Sequence, residues 1–356
     1  MVNKKDFYID IKNRAKNIYE QYQYLVLKSL KTNTSNYSLE FNIKEDSSLG
    51  GKAWFKDNLD NIQINKGVID NYFDYFYGFT KMQTADFLDK LHIEDMEESS
   101  YEFIKFDKHG NPNYFDSKVI DYKLAGLLTI FVSRFIITHE LGHLFNGHCE
   151  YLNSKDQNDM QHIQMFEKDN SKNIKNVSSL DFRTLEMDAD AFAATDNFRN
   201  LLLIYGKFED MVEKDLNIEP IELFYWWSFA IRSNFLITQK ILNDEEYSTD
   251  KKHLPSVARW VLILGTILNI IDGGVYNIHY RTGDNKEKLL AYIVKGFLFA
   301  ENQYNERFYT KYSCLEETMN SKDYNNYVTE TQNNWEHLRN DLSKYSRLTL
   351  YKSNKF

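Results

Sequence analysis

Between Asp116-Ser117 and Asn146-Gly147 the chain has a beginning, an end and no interruption. Asp116-Ser117 offers an N-cap, whose side-chain oxygen can accept from an otherwise unbonded amide of the first turn. Asn146-Gly147 offers the stop, where a residue free to turn left-handed ends a helix. The spacing predicts one helix of about 30 residues. Its apolar part, "LAGLLTIFVSRFII" (Leu124 to Ile137), carries Arg134 and runs straight into "THELGHLFNGHCE" (Thr138 to Glu150). A second apolar run, "WVLILGTILNIIDGGVY" (Trp260 to Tyr276), is broken by Asn269, Asp272 and two glycines. A membrane-spanning helix needs about 20 predominantly apolar residues. Both runs fall short, so both read as buried core helices and no membrane span is expected.

Composition agrees with a packed, helix-rich interior. The chain of 356 residues holds 25 Tyr and 25 Phe but only 3 Pro. It is long enough for a sizeable core in one large domain or two small ones. Its net charge of −9 argues against a nucleic-acid-binding surface as its main business. Its two cysteines, Cys149 and Cys314, make neither a disulfide framework nor a C-x-x-C metal pair, which fits a reducing cytosol. The first twenty residues are charged throughout and lack the apolar core of a secretory signal, so a cytoplasmic protein is expected.

Along the chain, Lys4 to Leu30 has the spacing of a long amphipathic helix. "NYSLEFNI" (Asn36 to Ile43), "NIQIN" (Asn61 to Asn65) and "YEFIKF" (Tyr101 to Phe106) read as short strands, and Gly50-Gly51 as a turn. "VIDNYFDYFYGF" reads as a helix. Tyr151 to Phe182 is polar and weakly patterned, and is expected to be a long insertion. From Arg183 onward the chain reads almost wholly helical. The fold class expected is α+β, predominantly α-helical, with a small sheet packed beside the long histidine-bearing helix. Residues 1–280 are read as the main domain and 281–356 as a helical C-terminal extension that can belong to the same domain.

His139-Glu140-Leu141-Gly142-His143 is an H-E-x-x-H pattern on the predicted helix. Residues at i and i+4 share a face, so both imidazoles can aim at one ion. A catalytic zinc site takes three protein ligands and keeps a fourth position for water. Glu140 is poorly set to ligate from the same face but is well set to act as general base on that water. Two sources for the third ligand come into view. A metzincin-like continuation needs a glycine and a histidine at positions where Gly147 and His148 do not fall, and Cys149 sits where that histidine belongs. The stronger source is "RTLEMDADAFAATDNF" (Arg183 to Phe198), where Glu186 and Asp190 share a helix face. Glu186 can complete the metal site, with Asp188 as its substitute. Asp190 can accept the outer N–H of a ligating histidine and fix its tautomer. Ala189, Ala193 and Ala194 let two helices approach closely.

H-E-x-x-H on one helix, with E-x-x-x-D and A-D-x-F-A on a later one, resembles the gluzincin metallopeptidases. Within them the pattern is similar to the HtpX and CAAX-protease type, the ImmA-type endopeptidases and the Lit-type phage-exclusion peptidases. "HELGHLFNGH" is most like the ImmA and Lit groups, and the membrane spans of the HtpX type are missing. The likeness covers roughly residues 117–200, and the 43 residues from His143 to Glu186 are long for the minimal scaffold. "YSTDKKHLPSVARW" (Tyr247 to Trp260) is similar to the H-P-x-x-x-x-R element of the CAAX type, with Leu254 displacing Pro255 by one place. That likeness implies that His253 donates to a developing oxyanion and that Arg259 orients it or binds a carbonyl, with Tyr247 the alternative donor.

The resemblance implies a zinc-dependent intracellular endopeptidase. Zn2+ would sit on His139, His143 and Glu186, and Glu140 would serve first as base and then as acid. An extended protein or peptide substrate would add to a sheet edge, with "NIQIN" and "YEFIKF" the expected strands. A Lit-like role in phage defence or stress response, on a translation factor, stands beside an ImmA-like role on a repressor. The competing class is a non-catalytic zinc-containing sensor or binding module, in which His148 or Cys149 would close the metal site. The insertion at 151–182, anchored near the metal at both ends, reads either as a segment that covers or shapes the cleft, moved by an activating partner such as a phage product, or as a surface insertion without a role at the site.

Overall fold

The computed structural model describes residues 4–29, 38–81, 117–155, 163–164, 177–208, 218–242, 254–272, 286–308 and 320–351. Within them the protein is an α+β fold, predominantly helical, with one small mixed sheet. The chain opens with helix α1 (Lys4–Ser29), then strands β1 (Ser38–Lys44), β2 (Gly51–Lys56) and β3 (Leu59–Asn65), and helix α2 (Lys66–Lys81). Next come α3 (Ser117–Phe145), α4 (His148–Lys155), the two-residue strand β4 (Ile163–Gln164) and α5 (Ser179–Tyr205). Helices α6 (Glu222–Leu242), α7 (Ser256–Asp272), α8 (Lys286–Phe308) and α9 (Lys322–Leu342) complete the described elements.

Helix α3 is the axis of the fold. It ends where the sequence says it should, at a glycine with φ of +80°, Gly147, which a side chain would strain. It packs against α2, α5, α6 and strand β2. From Lys123 to Phe145 it is long and apolar enough to cross a membrane by length and composition, because the apolar character runs on past Ile137. The expectation that it falls short of a span therefore does not hold on length. What marks it as a core helix is burial: 78% of its apolar window is enclosed by the rest of the protein.

The sheet has the order β1-β3-β2-β4, with β1 parallel to β3, and β2 antiparallel to both neighbours. Gly50-Gly51 is not the hairpin turn. Residues 45–50 link β1 to β2, Gly51 opens β2, and the tight turn lies at Asp57-Asn58. Both turn residues have positive φ, 53° and 61°, the conformation that a two-residue hairpin demands and that Asp and Asn tolerate best. β3, which contains "NIQIN", is central and bonded on both sides, so it has no edge to offer a substrate. "YEFIKF" lies outside the described residues. β2 and β3 lie against α3, so the sheet does sit beside the histidine-bearing helix.

One large hydrophobic core runs through the described chain, with a smaller cluster of Leu254, Ala258, Leu262, Tyr324, Tyr327 and Val328 between α7 and α9. The large core takes Ile11 and Ile18 from α1, Ile62 and Ile64 from β3, Phe135 and Leu144 from α3, Phe224 and Trp227 from α6, Phe297 and Tyr304 from α8, and Trp335 and Leu342 from α9. Residues of the 281–356 extension thus share the core of the rest. The insertion is structured at its two ends, correcting the reading of 151–182 as one irregular stretch: Tyr151 to Lys155 belong to α4, and α5 already begins at Ser179. Ser178 caps α5 and Asp181 returns the bond, a reciprocal capping box.

Candidate metal centre

Helices α3 and α5 cross at Gly142 and Ala189. A Cβ on Gly142 would stand 3.2 Å from Cα of Ala189 and 3.2 Å from Cβ of Phe192, so only glycine and alanine permit this approach. The closeness delivers three side chains to one point. His139 and His143 are fully buried and Glu186 nearly so. Nε2 of His139 lies 3.0 Å from Nε2 of His143. Each carboxylate oxygen of Glu186 lies 3.4 Å from one of those nitrogens. Ligand atoms about 2.0–2.2 Å from a tetrahedral ion stand about 3.3–3.5 Å apart, close to the spacings found here. His139, His143 and Glu186 form a buried group able to hold a metal ion.

Asp190, one turn after Glu186, accepts from Nδ1 of His139 at 2.9 Å. Arg259, from the second turn of α7, grips Asp190 in turn, with Nε and Nη2 each donating at 2.7 Å. Burial works against the Asp190 charge, but the guanidinium and the His139 contact outweigh it and hold the carboxyl below its ordinary range. Nη2 of Arg259 also stands 3.8 Å from Glu186, and its guanidinium lies over the Phe235 ring at 4.8 Å. Arg259 thus reaches the site, bound to Asp190 and standing beside Glu186. His253, which it was expected to orient, and Tyr247 lie outside the described residues.

Glu140 is fully buried, and among the described residues neither of its oxygens has a hydrogen-bond partner. A buried carboxylate without partners is costly, so the arrangement calls for a ligand or water at that point. Burial pushes its carboxyl up to about 8; His139 and Arg259 oppose the shift and Glu186 reinforces it. Burial pulls both histidines down. In His139 the charges and hydrogen bonds of Glu186 and Asp190 overcome it and push the imidazole up to about 9. In His143 burial prevails over Glu186 and lowers it to about 3.

The sequence reading named His139, His143, Glu186 and Asp190, and the fold brings these four together. It missed three neighbours. His148 is neither a ligand nor a surface group: it is fully buried behind His143, the two Nδ1 atoms 2.9 Å apart. Asp188 is not a substitute ligand: it accepts from Nε2 of His148 at 3.1 Å and from Nδ2 of Asn146 at 2.6 Å. Gly51, the first residue of β2, lies against Glu140: a Cβ there would be 2.9 Å from its Oε1. The alternation Glu186, Asp188, Asp190 carried the signal for the second of these, since all three acids end on the histidines. Cys149 is a buried free thiol outside the ligand group. No family model matches this chain, and neither a curated protein nor a solved structure matches it.

Proposed function

We propose that this protein is a zinc-dependent endopeptidase of gluzincin type, cytoplasmic, in which His139, His143 and Glu186 hold the metal and Glu140 handles the proton. The observation that carries the reading is the carboxylate of Glu140, buried without a hydrogen-bond partner among the described residues, beside three convergent ligand atoms. A structural zinc site is closed by four protein ligands and has no use for such a group. Here His148 and Cys149, the residues that could have closed it, are not in the ligand group.

When bound, zinc acidifies a water toward a pKa of about 7 and polarises a carbonyl. The chain's own residues do the rest. Glu140 takes a proton from the attacking water and delivers it to the departing amide nitrogen. Asp190, fixed by Arg259, keeps the Nδ1 hydrogen of His139 and leaves Nε2 free for the metal. β2 starts against Glu140 and is the strand nearest the site; among the described residues β4 pairs with it at Lys52 and Ala53. The likeness to Lit-type peptidases motivates a protein substrate met in phage defence, with the ImmA-like reading on a repressor as its rival.

The test compares the wild type with Glu140→Gln. Both should take up stoichiometric zinc, while new protein N-termini found in cells expressing the wild type should vanish with the variant. Purified, the variant should lose about 100- to 10,000-fold in cleavage of any substrate so identified. Zinc lost in Glu140→Gln as in His139→Ala would make Glu140 a ligand and overturn the assignment. Identical N-termini in the two cell samples would remove the peptidase reading.

A further inference from the structure

We propose that His148 and Asp188 are positioning residues for His143, a relay that fixes the tautomer in which His143 can bind a metal. The inference rests on the metal-centre reading and deepens it. Asp188 offers only acceptor oxygens when ionised, so the hydrogen in its 3.1 Å contact with His148 belongs to Nε2 of His148. A neutral imidazole protonated at Nε2 has a bare Nδ1. That bare nitrogen faces Nδ1 of His143 at 2.9 Å, so the hydrogen between them belongs to His143. His143 then has its lone pair on Nε2, aimed at Nε2 of His139 and at Glu186.

The same bookkeeping holds on the other side. Asp190 takes the Nδ1 hydrogen of His139 and leaves its Nε2 bare. Two bare nitrogens 3.0 Å apart, facing a carboxylate, are three acceptors with no donor among them. A metal ion bound by all three satisfies that set, as does a proton shared among them. His139 reaches its carboxylate directly, whereas His143 reaches Asp188 through a second imidazole.

The fold builds this relay deliberately. Gly147, at φ +80°, breaks α3 and turns the chain, so that His148 opens α4 directly behind His143. Tyr345 and Ser346 close over that turn, within 2.8 Å of where a Gly147 Cβ would be. Asp188 also accepts from Asn146, so one carboxylate holds both the turn and the imidazole. The alternative is that Asp188 merely anchors the start of α4 through His148 and that the contact with His143 is incidental.

Two substitutions separate these roles. Asparagine at 148 puts an amide oxygen where Nδ1 was and keeps the acceptor for His143. Glutamine puts its amide where Nε2 was and keeps the contact with Asp188. The measurement is zinc affinity by chelator competition, with the thermal midpoint of the metal-free form as a check on folding and His143→Ala and Glu186→Ala as controls. The relay requires His148→Ala and His148→Gln to bind zinc about 10- to 100-fold more weakly and His148→Asn to stay within a few-fold of wild type. Rescue by glutamine and not by asparagine, or full affinity in His148→Ala, would overturn it while leaving the metal centre intact. If His143→Ala and Glu186→Ala bind zinc as the wild type does, the metal centre itself is wrong and the relay falls with it. Should every variant at 148 fail to fold, nitrogen NMR of the zinc-loaded wild type decides: the relay has hydrogen on Nδ1 of His143 and none on Nδ1 of His148, and the opposite assignment overturns it.

Discussion

Helix α3 serves two buried polar clusters, and they are closed in different ways. At its C-terminal end, Asp60 and Glu150 surround the guanidinium of Arg347, which donates to both. Tyr19 donates to Asp60 at 2.6 Å, and the guanidinium lies over the rings of Phe55 and Phe145. The chain supplies its own cation there. One turn earlier, His139, His143, Glu186 and Glu140 converge, and the nearest guanidinium, that of Arg259, is turned toward Asp190. Buried charge completed from within holds a fold together; a buried group of convergent ligand atoms is suited to take up something from outside.

The largest expected effect comes from breaking the closed cluster. Arg347→Met keeps the bulk of the side chain but leaves Asp60 and Glu150 buried without their cation. Removing one partner of a buried ion pair costs about 3–5 kcal/mol, and that loss is expected in denaturant unfolding of the metal-free protein. Zinc uptake by the folded fraction should be unchanged, because no ligand touches Arg347. A variant as stable as wild type would mean that this cluster is not what pins the C-terminal segment to α3.

The metal centre should respond with the opposite sign. Glu140 has its carboxyl raised to about 8 from 4.5, chiefly by burial. A carboxylic acid whose folded pKa is the higher takes up a proton on folding, so the wild type loses stability as pH rises from 4.5 through 8. Glu140→Gln removes that dependence. The metal-free variant should match wild type near the lower pH and exceed it by roughly 1–3 kcal/mol above the upper one. A variant that is more stable yet inactive identifies a residue kept for chemistry rather than for the fold. No gain at high pH would mean that the carboxylate has partners in solution and that the two clusters are less different than they look.

This contrast also marks what could be read from the sequence. The ligand triad was readable because helical spacing is local: His139 and His143, and Glu186 and Asp190, each lie one turn apart. The C-terminal limit of α3 was readable from a glycine; the cap expected at Asp116 lies outside the described residues. β2 was not, since "GKAWFK" begins with glycine and is too short to show a period, although Asp57-Asn58 carried a hairpin signal. The Arg347 cluster was beyond reach: 287 residues separate it from Asp60, and nothing in a lone arginine near the terminus announces a buried partner. His148 and Asp188 failed for a related reason. Their relation to His143 depends on a backbone turn at Gly147 and on how two helices cross, neither of which is a periodicity.

The smallest effect tests where the open cluster ends. Gly51 belongs to the sheet, but its missing side chain makes room for Glu140. In Gly51→Ala the new Cβ would stand 2.9 Å from Oε1 of Glu140 and 3.3 Å from Cγ2 of Ile136. The carboxylate is the end of a flexible side chain and should move aside, so the fold is expected to tolerate the change. A general base displaced by a fraction of an ångström loses alignment with the water it serves, and even about 1 Å can cost 100-fold. Cleavage should therefore fall by about tenfold, with zinc affinity and unfolding midpoint close to wild type. A fall in zinc affinity instead would mean that Gly51 supports the ligands and not the base. Unchanged cleavage would show that Glu140 works from a position away from β2, and that this strand does not border the reaction.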